Sequence, residues 1–215
     1  MWFEFDRPEV LVAHLGMSGQ FKIQTIKSQR ESHLRACFTL SNKKEMRFID
    51  QRTFGWLAVD HLVNAVPNLV SHIALDLFDP NFDKRATMIR ISKSKAQIKK
   101  VILDQSIVSG IGNIYADEAL WRAKIHPESI SAELTSTQIL NVLTAAQKVM
   151  ERALKAGGTS FDDLYINVNG ESGYFERSLA AYGREGEPCR RCGSEIERIA
   201  FANRSSRLCP TCQTR

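Results

Sequence analysis

The centre of the chain reads Val108-Ser109-Gly110-Ile111-Gly112-Asn113-Ile114-Tyr115-Ala116-Asp117-Glu118 and separates two segments of helical periodicity. Its glycines permit a tight turn, and the turn opens a helix whose first backbone N–H groups have no acceptor within the helix. Those N–H groups and the positive end of the helix favour a phosphate, to which Asn113 adds a side-chain donor. Taken alone, the stretch is equally consistent with a turn that needs glycine only for its backbone angles.

Helical periodicity continues on both sides of this turn. The apolar positions are Ile98, Val101 and Ile102 before it, and Ala116, Ala119, Leu120 and Ala123 after it. A third helix is predicted to begin at a capping box formed by Thr135 and Gln138 and to end at Gly157-Gly158. It carries the apolar stripe of a core-facing helix: Ile139, Val142, Leu143, Ala146, Val149, Met150 and Ala153.

Residues 1–60 have the alternating pattern of short antiparallel strands rather than of helices. The predicted strands are Phe3 to Phe5, Leu11 to Leu15, Phe21 to Ile26, Leu34 to Leu40 and Met46 to Val59, with a hairpin turn at residues 41–44. Residues 61–88 contain Pro67 and Pro80 and are interpreted as an irregular or short helical linker.

Four of the five cysteines lie near the end of the chain, as Cys189-x-x-Cys192 and Cys209-x-x-Cys212. Two such pairs at this separation are typical of a zinc ion held by four thiolates. All four positions are filled by protein, so we expect one structural Zn²⁺ that folds a segment too small to hold a core. The fifth cysteine, Cys37, is interpreted as a packed, inert thiol in a strand.

The composition, 43% hydrophobic and 25% charged over 215 residues, is that of a globular protein and excludes a disordered one. The sequence shows neither a secretion signal nor a continuous apolar span, so a cytoplasmic protein is expected. The net charge is +5, and the basic residues Arg90, Lys93, Lys95, Lys99 and Lys100 form a run without an acidic residue. Such a run indicates either a solvated face or a polyanionic partner.

Six sequence motifs of a known family are spread over nearly the whole chain. They are His14-Leu15-Gly16-Met17-Ser18-Gly19, Asp50-Gln51-Arg52-Thr53-Phe54-Gly55, Leu103-Asp104-Gln105 to Pro127, Gly157-Gly158-Thr159-Ser160, Gly173-Tyr174-Phe175, and Tyr182-Gly183-Arg184 leading into the cysteines. With the four terminal cysteines, the chain resembles the formamidopyrimidine-DNA glycosylase and endonuclease VIII family. It resembles formamidopyrimidine-DNA glycosylase more than endonuclease VIII.

The resemblance implies an α+β multidomain fold. Its expected parts are a partial antiparallel β-sandwich over residues 1–60, the linker 61–88, a helix-two-turn-helix domain over 89–158, and a lesion-loop region with a C-terminal β-hairpin zinc finger over 159–215. The implied function is base-excision repair of oxidised purines by a DNA glycosylase and abasic-site lyase. The implied partner is double-stranded DNA containing damaged bases or abasic sites. The protein itself is expected to be a monomer of bacterial type that associates with the nucleoid.

The family's nucleophile is an N-terminal proline, which is followed by a glutamate, and a lysine lies in the strand just before the one that matches Met1 to Phe5. This sequence begins several dozen residues into the family pattern, so none of the three can be assigned to a residue here. Pro8 is internal, and its nitrogen is an amide that cannot form a Schiff base. We therefore expect this 215-residue chain to be inactive as a lyase, which leaves its status as an enzyme open.

The resemblance also implies roles for DNA-handling residues. Met17, Arg52 and Phe54 match void-filling residues that enter the duplex where a nucleotide has been turned out, although Phe54 also fits ordinary strand packing. Lys99, Asn113, Tyr115 and Arg204 match positions at the DNA backbone. Asn167, Gly170, Gly173 and Tyr174 match the loop that caps the lesion. Position 53 is threonine, where many relatives carry a basic residue, so one phosphate contact is expected to be missing.

Two other functions are compatible with parts of the sequence. The first is a non-catalytic damaged-DNA-binding protein of glycosylase ancestry, which the residues upstream of Met1 would distinguish from an enzyme. The second is a zinc-ribbon protein of transcription or translation. A zinc ribbon explains the cysteines and the charge, but it explains neither Met17, Arg52 and Phe54 nor the turn from Gly110 to Tyr115.

Overall fold

A computed structural model describes residues 1–157 and 178–215, which form two compact units. The first unit comprises residues 1–71, and the second comprises residues 72–157 and 178–215. The strands are Trp2–Phe5 (β1), Arg7–His14 (β2), Gln20–Thr25 (β3), Leu34–Thr39 (β4), Lys44–Ile49 (β5), Trp56–Val63 (β6), Val66–Pro67 (β7), Glu197–Phe201 (β8) and Arg204–Leu208 (β9). The α-helices are Lys84–Ser92 (α1), Ile98–Ile102 (α2), Asn113–Ala123 (α3) and Ser136–Lys155 (α4).

The first unit contains two antiparallel sheets, in the orders β1-β2-β6-β7 and β3-β5-β4. Phe21 of β3 packs edge-on against Phe3 of β1, with 5.2 Å between ring centroids, and lies 5.2 Å from Phe48 of β5. The contact between Phe3 and Phe21 joins the two sheets, because alternate residues of each strand point toward the same face. The predicted β-sandwich is therefore confirmed.

Two sequence interpretations in this unit are wrong. Met46 to Val59 is not one strand: β5 ends at Ile49 and β6 begins at Trp56, with a loop between them. Cys37 is exposed rather than packed, because Leu34, Ala36 and Phe38 occupy the inner face of β4 and period-two alternation puts position 37 outside.

The second unit is built around α4, whose predicted capping box is present. The Thr135 hydroxyl accepts from the Gln138 N–H at 3.2 Å, and the Gln138 side chain accepts from the Thr135 N–H at 2.8 Å. The apolar stripe of α4 packs on α1 and α3, and all of its predicted members are buried except Met150, which is half-buried.

Each unit also contains a 3₁₀ turn. These turns are Asn68–Val70 in the first unit and Ser131–Glu133 in the second.

The β8–β9 hairpin lies at the C-terminal side of this unit, between the two cysteine pairs. The α+β fold with a helix-two-turn-helix region and a C-terminal zinc finger is as the resemblance implies. Within residues 1–157 and 178–215, no helix has both the length and the apolar composition needed to cross a membrane.

Candidate nucleic-acid interface and metal centre

Two loops meet at one end of the β-sandwich. Strand β2 ends at His14 and strand β6 begins at Trp56, and these two residues are register partners. The loop that follows β2 (residues 15–19) and the loop that precedes β6 (residues 50–55) therefore emerge side by side. We call these two loops the sandwich tip.

A buried carboxylate holds the sandwich tip together. Asp50 Oδ1 accepts from the Ser18 hydroxyl at 2.5 Å, and Asp50 Oδ2 accepts from the Gly55 N–H at 2.8 Å. The same Ser18 oxygen accepts from the Arg52 N–H at 3.0 Å. Burial opposes ionisation of Asp50, but hydrogen bonds from Ser18 and from neighbouring backbone N–H groups outweigh it and lower its pKa.

Glycine allows the two loops to approach closely. Gly16 has φ +62°, and a Cβ at this position would lie 2.7 Å from the Phe54 carbonyl carbon and 2.8 Å from the Gly55 nitrogen. Any side chain would push the loops apart, since this neighbour is backbone and cannot rotate away.

The structure brings the predicted void-filling residues together at the sandwich tip. Met17 is 54% exposed and Phe54 is 60% exposed, and Arg52 is also exposed. Phe54 therefore does not pack in the sandwich core. Two large apolar side chains at a solvent-facing tip are typical of a surface that contacts a partner.

In the second unit, the predicted turn opens a helix at Asn113. Gln105 braces the turn: its Oε1 accepts from the Gly110 N–H at 2.9 Å, and its Nε2 donates to the Ile111 carbonyl at 3.2 Å. Gly110 has φ +83°, which strongly favours glycine. Gly112 is the N-cap residue of α3.

The N-terminus of α3 differs from those of α1 and α4. Asp83 caps α1 and Thr135 caps α4 with a side-chain oxygen, whereas α3 has no side-chain cap; its first turn, like theirs, carries no acidic residue. The positive end of α3 therefore lacks an anionic partner from its own turn, and such an end attracts anions.

The β8–β9 hairpin is joined to this helix end. Asn113 Nδ2 and Lys99 Nζ both donate to the Ser205 carbonyl, at 3.3 Å and 2.9 Å. Arg204, the preceding residue, is exposed at the start of β9. The Oδ1 atom of Asn113 is buried and finds no hydrogen-bond partner among the described residues.

The expectation that Lys99 is a surface residue of the basic run is wrong. Its side chain is fully buried, and Nζ forms an ion pair of 2.7 Å with Asp117 Oδ1. The reason is helical geometry, because Lys99 lies beside Ile98 and Val101 on α2 and faces α3, while its neighbour Lys100 is exposed. Burial lowers the pKa of Lys99 and raises that of Asp117.

The neighbours of Arg204 on the hairpin are also turned inward. The Ser206 hydroxyl is buried and donates to Asp117 Oδ1 at 2.7 Å. The Arg207 guanidinium stacks on the Tyr182 ring, 4.4 Å from its centroid. Tyr115 is half-buried against the helical core.

The four C-terminal cysteines form a metal centre. Their sulfur atoms all lie within 4.8 Å of one another, and a tetrahedral Zn²⁺ with Zn–S bonds of about 2.3 Å needs sulfurs about 3.8 Å apart. Hydrogen bonds from Ser194 lower the pKa of Cys192 to about 6, whereas burial raises the pKa of Cys209 to about 12. Zinc binding would displace the protons that remain, because thiolates are the ligands.

Helix α3 supports both this centre and the chain before it. The indole N–H of Trp121 points to Cys189 Sγ at 3.4 Å, and the Arg191 guanidinium stacks on the same indole at 4.2 Å. Buried Glu118 accepts from the backbone N–H groups of residues 180–182 at 2.7–3.0 Å.

Sequence reasoning missed the carboxylates that position the candidate site, namely Asp50, Asp117 and Glu118. Asp117 had one usable signal, because it follows Asn113 by four residues and so lies on the same face of α3. The predicted lesion-loop residues Asn167, Gly170, Gly173 and Tyr174 lie outside the described residues.

Three family descriptions match the chain in order. The formamidopyrimidine-DNA glycosylase N-terminal domain matches residues 1–57, the formamidopyrimidine-DNA glycosylase H2TH domain matches residues 73–164, and the zinc finger found in FPG and IleRS matches residues 186–215. The zinc-finger match agrees with the four clustered cysteines, so the predicted zinc site is confirmed.

Whole-chain relatives agree with these matches. The chain is 49% identical to the formamidopyrimidine-DNA glycosylase of Thermobifida fusca, covering 100% of this chain and 77% of that protein. It is 54% identical to the formamidopyrimidine-DNA glycosylase of Rhodococcus opacus, covering 99% of this chain and 75% of that protein.

Solved structures show the same similarity. Lactococcus lactis FPG (MutM) in complex with DNA containing Fapy-dG has a TM-score of 0.87 at 32% identity, covering 100% of this chain and 78% of that one. Lactococcus lactis Fpg in complex with DNA containing an abasic site has a TM-score of 0.85 at 32% identity, covering 96% and 76%. The MutM (FPG) protein of Thermus thermophilus has a TM-score of 0.86 at 32% identity, covering 99% and 78%.

Proposed function

Because the chain belongs to the formamidopyrimidine-DNA glycosylase family, we propose that it recognises damaged bases or abasic sites in duplex DNA during base-excision repair. One observation carries the proposal: the uncapped N-terminus of α3 is hydrogen-bonded to the hairpin that presents Arg204. A helix end and a guanidinium held together suit the phosphates of one DNA strand, since both favour anionic oxygen.

In this proposal Asn113 and Arg204 contact the phosphates directly, and Tyr115 supports the first turn of α3 from the core side. Lys99 does not contact phosphate in this proposal, because its ammonium group is already bonded to Asp117 and Ser205. The exposed members of the basic run, among them Lys95 and Lys100, add long-range attraction for DNA.

At the sandwich tip, Met17, Arg52 and Phe54 fill the space left by a nucleotide that has been turned out of the duplex. Turning out a nucleotide costs a few kcal/mol of stacking and pairing, and inserted side chains recover part of that cost. The Asp50 hydrogen bonds keep the two loops together before DNA arrives. Less ordering is therefore needed when the side chains enter the duplex.

The ligands of the related structures suggest the lesion class. Relatives have been solved with DNA containing Fapy-dG, an abasic site and carbocyclic 8-oxo-G. Oxidised purines and their abasic products are accordingly the proposed ligands of this chain. A DNA ligand also accounts for the proposed nucleoid association.

For the 215-residue polypeptide, we propose recognition without Schiff-base chemistry. The nitrogen of Pro8 is a backbone amide within β2, and the ammonium group of Lys99 is buried in an ion pair. The Met1 amine donates to the Ala13 carbonyl at 3.2 Å along the edge of the sheet. The Pro8 nitrogen is not a free amine, the Lys99 ammonium group is enclosed beside Asp117, and the Met1 amine is hydrogen-bonded to Ala13, so none of the three is placed to attack a sugar carbon.

Two measurements test the proposal. Affinity for a duplex with one abasic site should fall steeply with salt, and Arg204→Ala should flatten the slope of log K against log salt by about one. Arg190→Ala, which removes an exposed arginine elsewhere in the finger, serves as a charge-matched control and should not change the slope. An unchanged slope and affinity in Arg204→Ala would exclude Arg204 from the interface.

Borohydride trapping on an abasic duplex tests the chemistry. The 215-residue polypeptide should give no covalent protein–DNA adduct, whereas a family member that carries the N-terminal proline should. An adduct at comparable yield would show that an amine in this polypeptide replaces the proline.

A further inference from the structure

A buried network of charged and polar groups connects helices α2 and α3 to strand β9. Lys99 Nζ and Asp117 Oδ1 are 2.7 Å apart, and both side chains are fully buried. Each helix contributes one charge, so the pair ties α2 to α3 beneath the hairpin.

The same pair binds three consecutive residues of β9. Lys99 Nζ donates to the Ser205 carbonyl at 2.9 Å, and Asp117 Oδ1 accepts from the Ser206 hydroxyl at 2.7 Å. Asp117 Oδ2 accepts from the Arg207 N–H at 3.0 Å. A shift of β9 by one residue would break all three contacts, because alternate residues of a strand face opposite sides.

The residue that comes immediately before this bonded triplet is Arg204. Its side chain is exposed, while its backbone position is fixed by the contacts of Ser205, Ser206 and Arg207. An apolar pair of similar volume would stabilise the packing as well as a buried ion pair does, but it would not specify which hairpin residue faces outward.

Resting on the proposed function, we infer that Lys99 and Asp117 are positioning residues for Arg204. They set the register of β9 on α3, so that the guanidinium meets the phosphate next to the uncapped helix end. Neither side chain touches DNA; both act through the hairpin.

A double-mutant cycle between Asp117 and Arg204 tests the inference. The substitution Asp117→Asn keeps the size of the side chain but places an amide donor opposite one of its hydrogen-bond donors. With Arg204 present, Asp117→Asn should weaken binding to an abasic duplex about tenfold and flatten its salt slope by about one. In an Arg204→Ala background, the same substitution should weaken binding less than about twofold.

The matched control is a second ion pair of the same unit. Lys155 and Glu151 on α4 form an exposed pair of 3.0 Å, and Glu151→Gln should leave both affinity and salt slope unchanged. Zinc content is measured for every variant. If Asp117→Asn loses zinc, Ser206→Ala takes its place in the cycle, because it removes a single bond to the same carboxylate. About a threefold loss that depends on Arg204 is then expected.

The possible failures are distinguishable. If Arg204→Ala alone has no effect on affinity, the phosphate role of Arg204 is wrong, and the inference fails with it. If Arg204→Ala weakens binding but Asp117→Asn weakens it equally in both backgrounds, the positioning role alone is wrong. Wild-type affinity in a zinc-loaded Asp117→Asn protein would also overturn it.

Discussion

Asp50 at the sandwich tip and Asp117 beneath the hairpin occupy similar positions in two different regions. Each is a fully buried carboxylate that accepts from a serine hydroxyl and from backbone N–H, and each lies beneath exposed candidate DNA contacts. Their pKa values shift in opposite directions. Hydrogen bonds lower the pKa of Asp50, against the effect of burial, whereas burial raises the pKa of Asp117 although Lys99 lies beside it.

The difference teaches how each region stabilises its buried carboxylate. Asp50 lies in a loop, where several backbone N–H groups converge on it and neutral donors are sufficient. The N–H groups of a helix interior are already bonded within the helix, so the carboxylate of Asp117 on α3 needs a cation, which Lys99 supplies. The sandwich tip is thus held by hydrogen bonds from neutral donors, whereas the hairpin is held by hydrogen bonds together with a buried ion pair.

Removing the metal should break the second region and leave the first intact. We expect Cys192→Ala to carry less than half an equivalent of zinc by elemental analysis, since structural zinc contributes about 10–16 kcal/mol to folding such a module. Abasic-duplex binding should be lost with it, because the hairpin lies between the cysteine pairs. Cys37→Ala, at the exposed cysteine of the sandwich, should retain one full equivalent. Full zinc retention in Cys192→Ala would contradict the four-thiolate site.

Asp50→Asn should break the first region with a smaller effect. One of the two bonded oxygens becomes an N–H₂ group that faces another donor, which costs about 1–3 kcal/mol of stability. Thermal unfolding would measure this, and zinc content should stay unchanged. Asp6→Asn is the matched control at an exposed position of the same unit. Equal melting temperatures for the Asp50 and Asp6 variants would show that the carboxylate does not hold the loops.

Phe54→Ala sharpens the comparison because it leaves the scaffold untouched. Affinity for an abasic duplex should fall by about 1–3 kcal/mol, the usual contribution of a stacked aromatic ring, while affinity for an undamaged duplex should not change. The control is Ile23→Ala, which removes another exposed apolar side chain of the sandwich. Parallel losses on both duplexes would place Phe54 outside the lesion.

The smallest expected effect concerns His126 in the second unit. Burial lowers its pKa, and its Nδ1 accepts from the Glu128 N–H at 3.2 Å, so the folded protein binds the proton less readily than the unfolded chain. Stability should therefore fall as the pH drops below about 6.5. We expect His126→Asn to show a smaller drop in melting temperature between about pH 7.5 and about pH 5.5 than the wild type. The exposed His72→Asn should match the wild type, and a drop of wild-type size in His126→Asn would refute this.

Local patterns predicted much of the fold. The capping box at Thr135 and Gln138, the turn at Gly110 and the two cysteine pairs each depend on residues close together in sequence, and all three are present. The position of the hairpin between the cysteine pairs was also predictable, because the metal ligands flank it.

Contacts between distant residues could not be predicted in this way. Lys99 belongs to a basic run, yet its partners are Asp117 on the next helix and Ser205 near the end of the chain. The periodicity of α2 does not predict a buried lysine, because a charged residue on an amphipathic helix normally lies in solvent. The exposure of Phe54 was not predictable either. Phe54 lies in the loop between β5 and β6, so the alternation of a strand does not apply to it.

Helix α3 touches the C-terminal segment at four successive points, through Asn113, Asp117, Glu118 and Trp121. The finger is consequently not a transplantable module, although its sequence matches a separate zinc-finger description. If the zinc finger of this chain were replaced by that of a distant protein, the new finger would still bind zinc, but its hairpin would lack the contacts with α3. The exchange would preserve these contacts only if α3 and the zinc finger were replaced together.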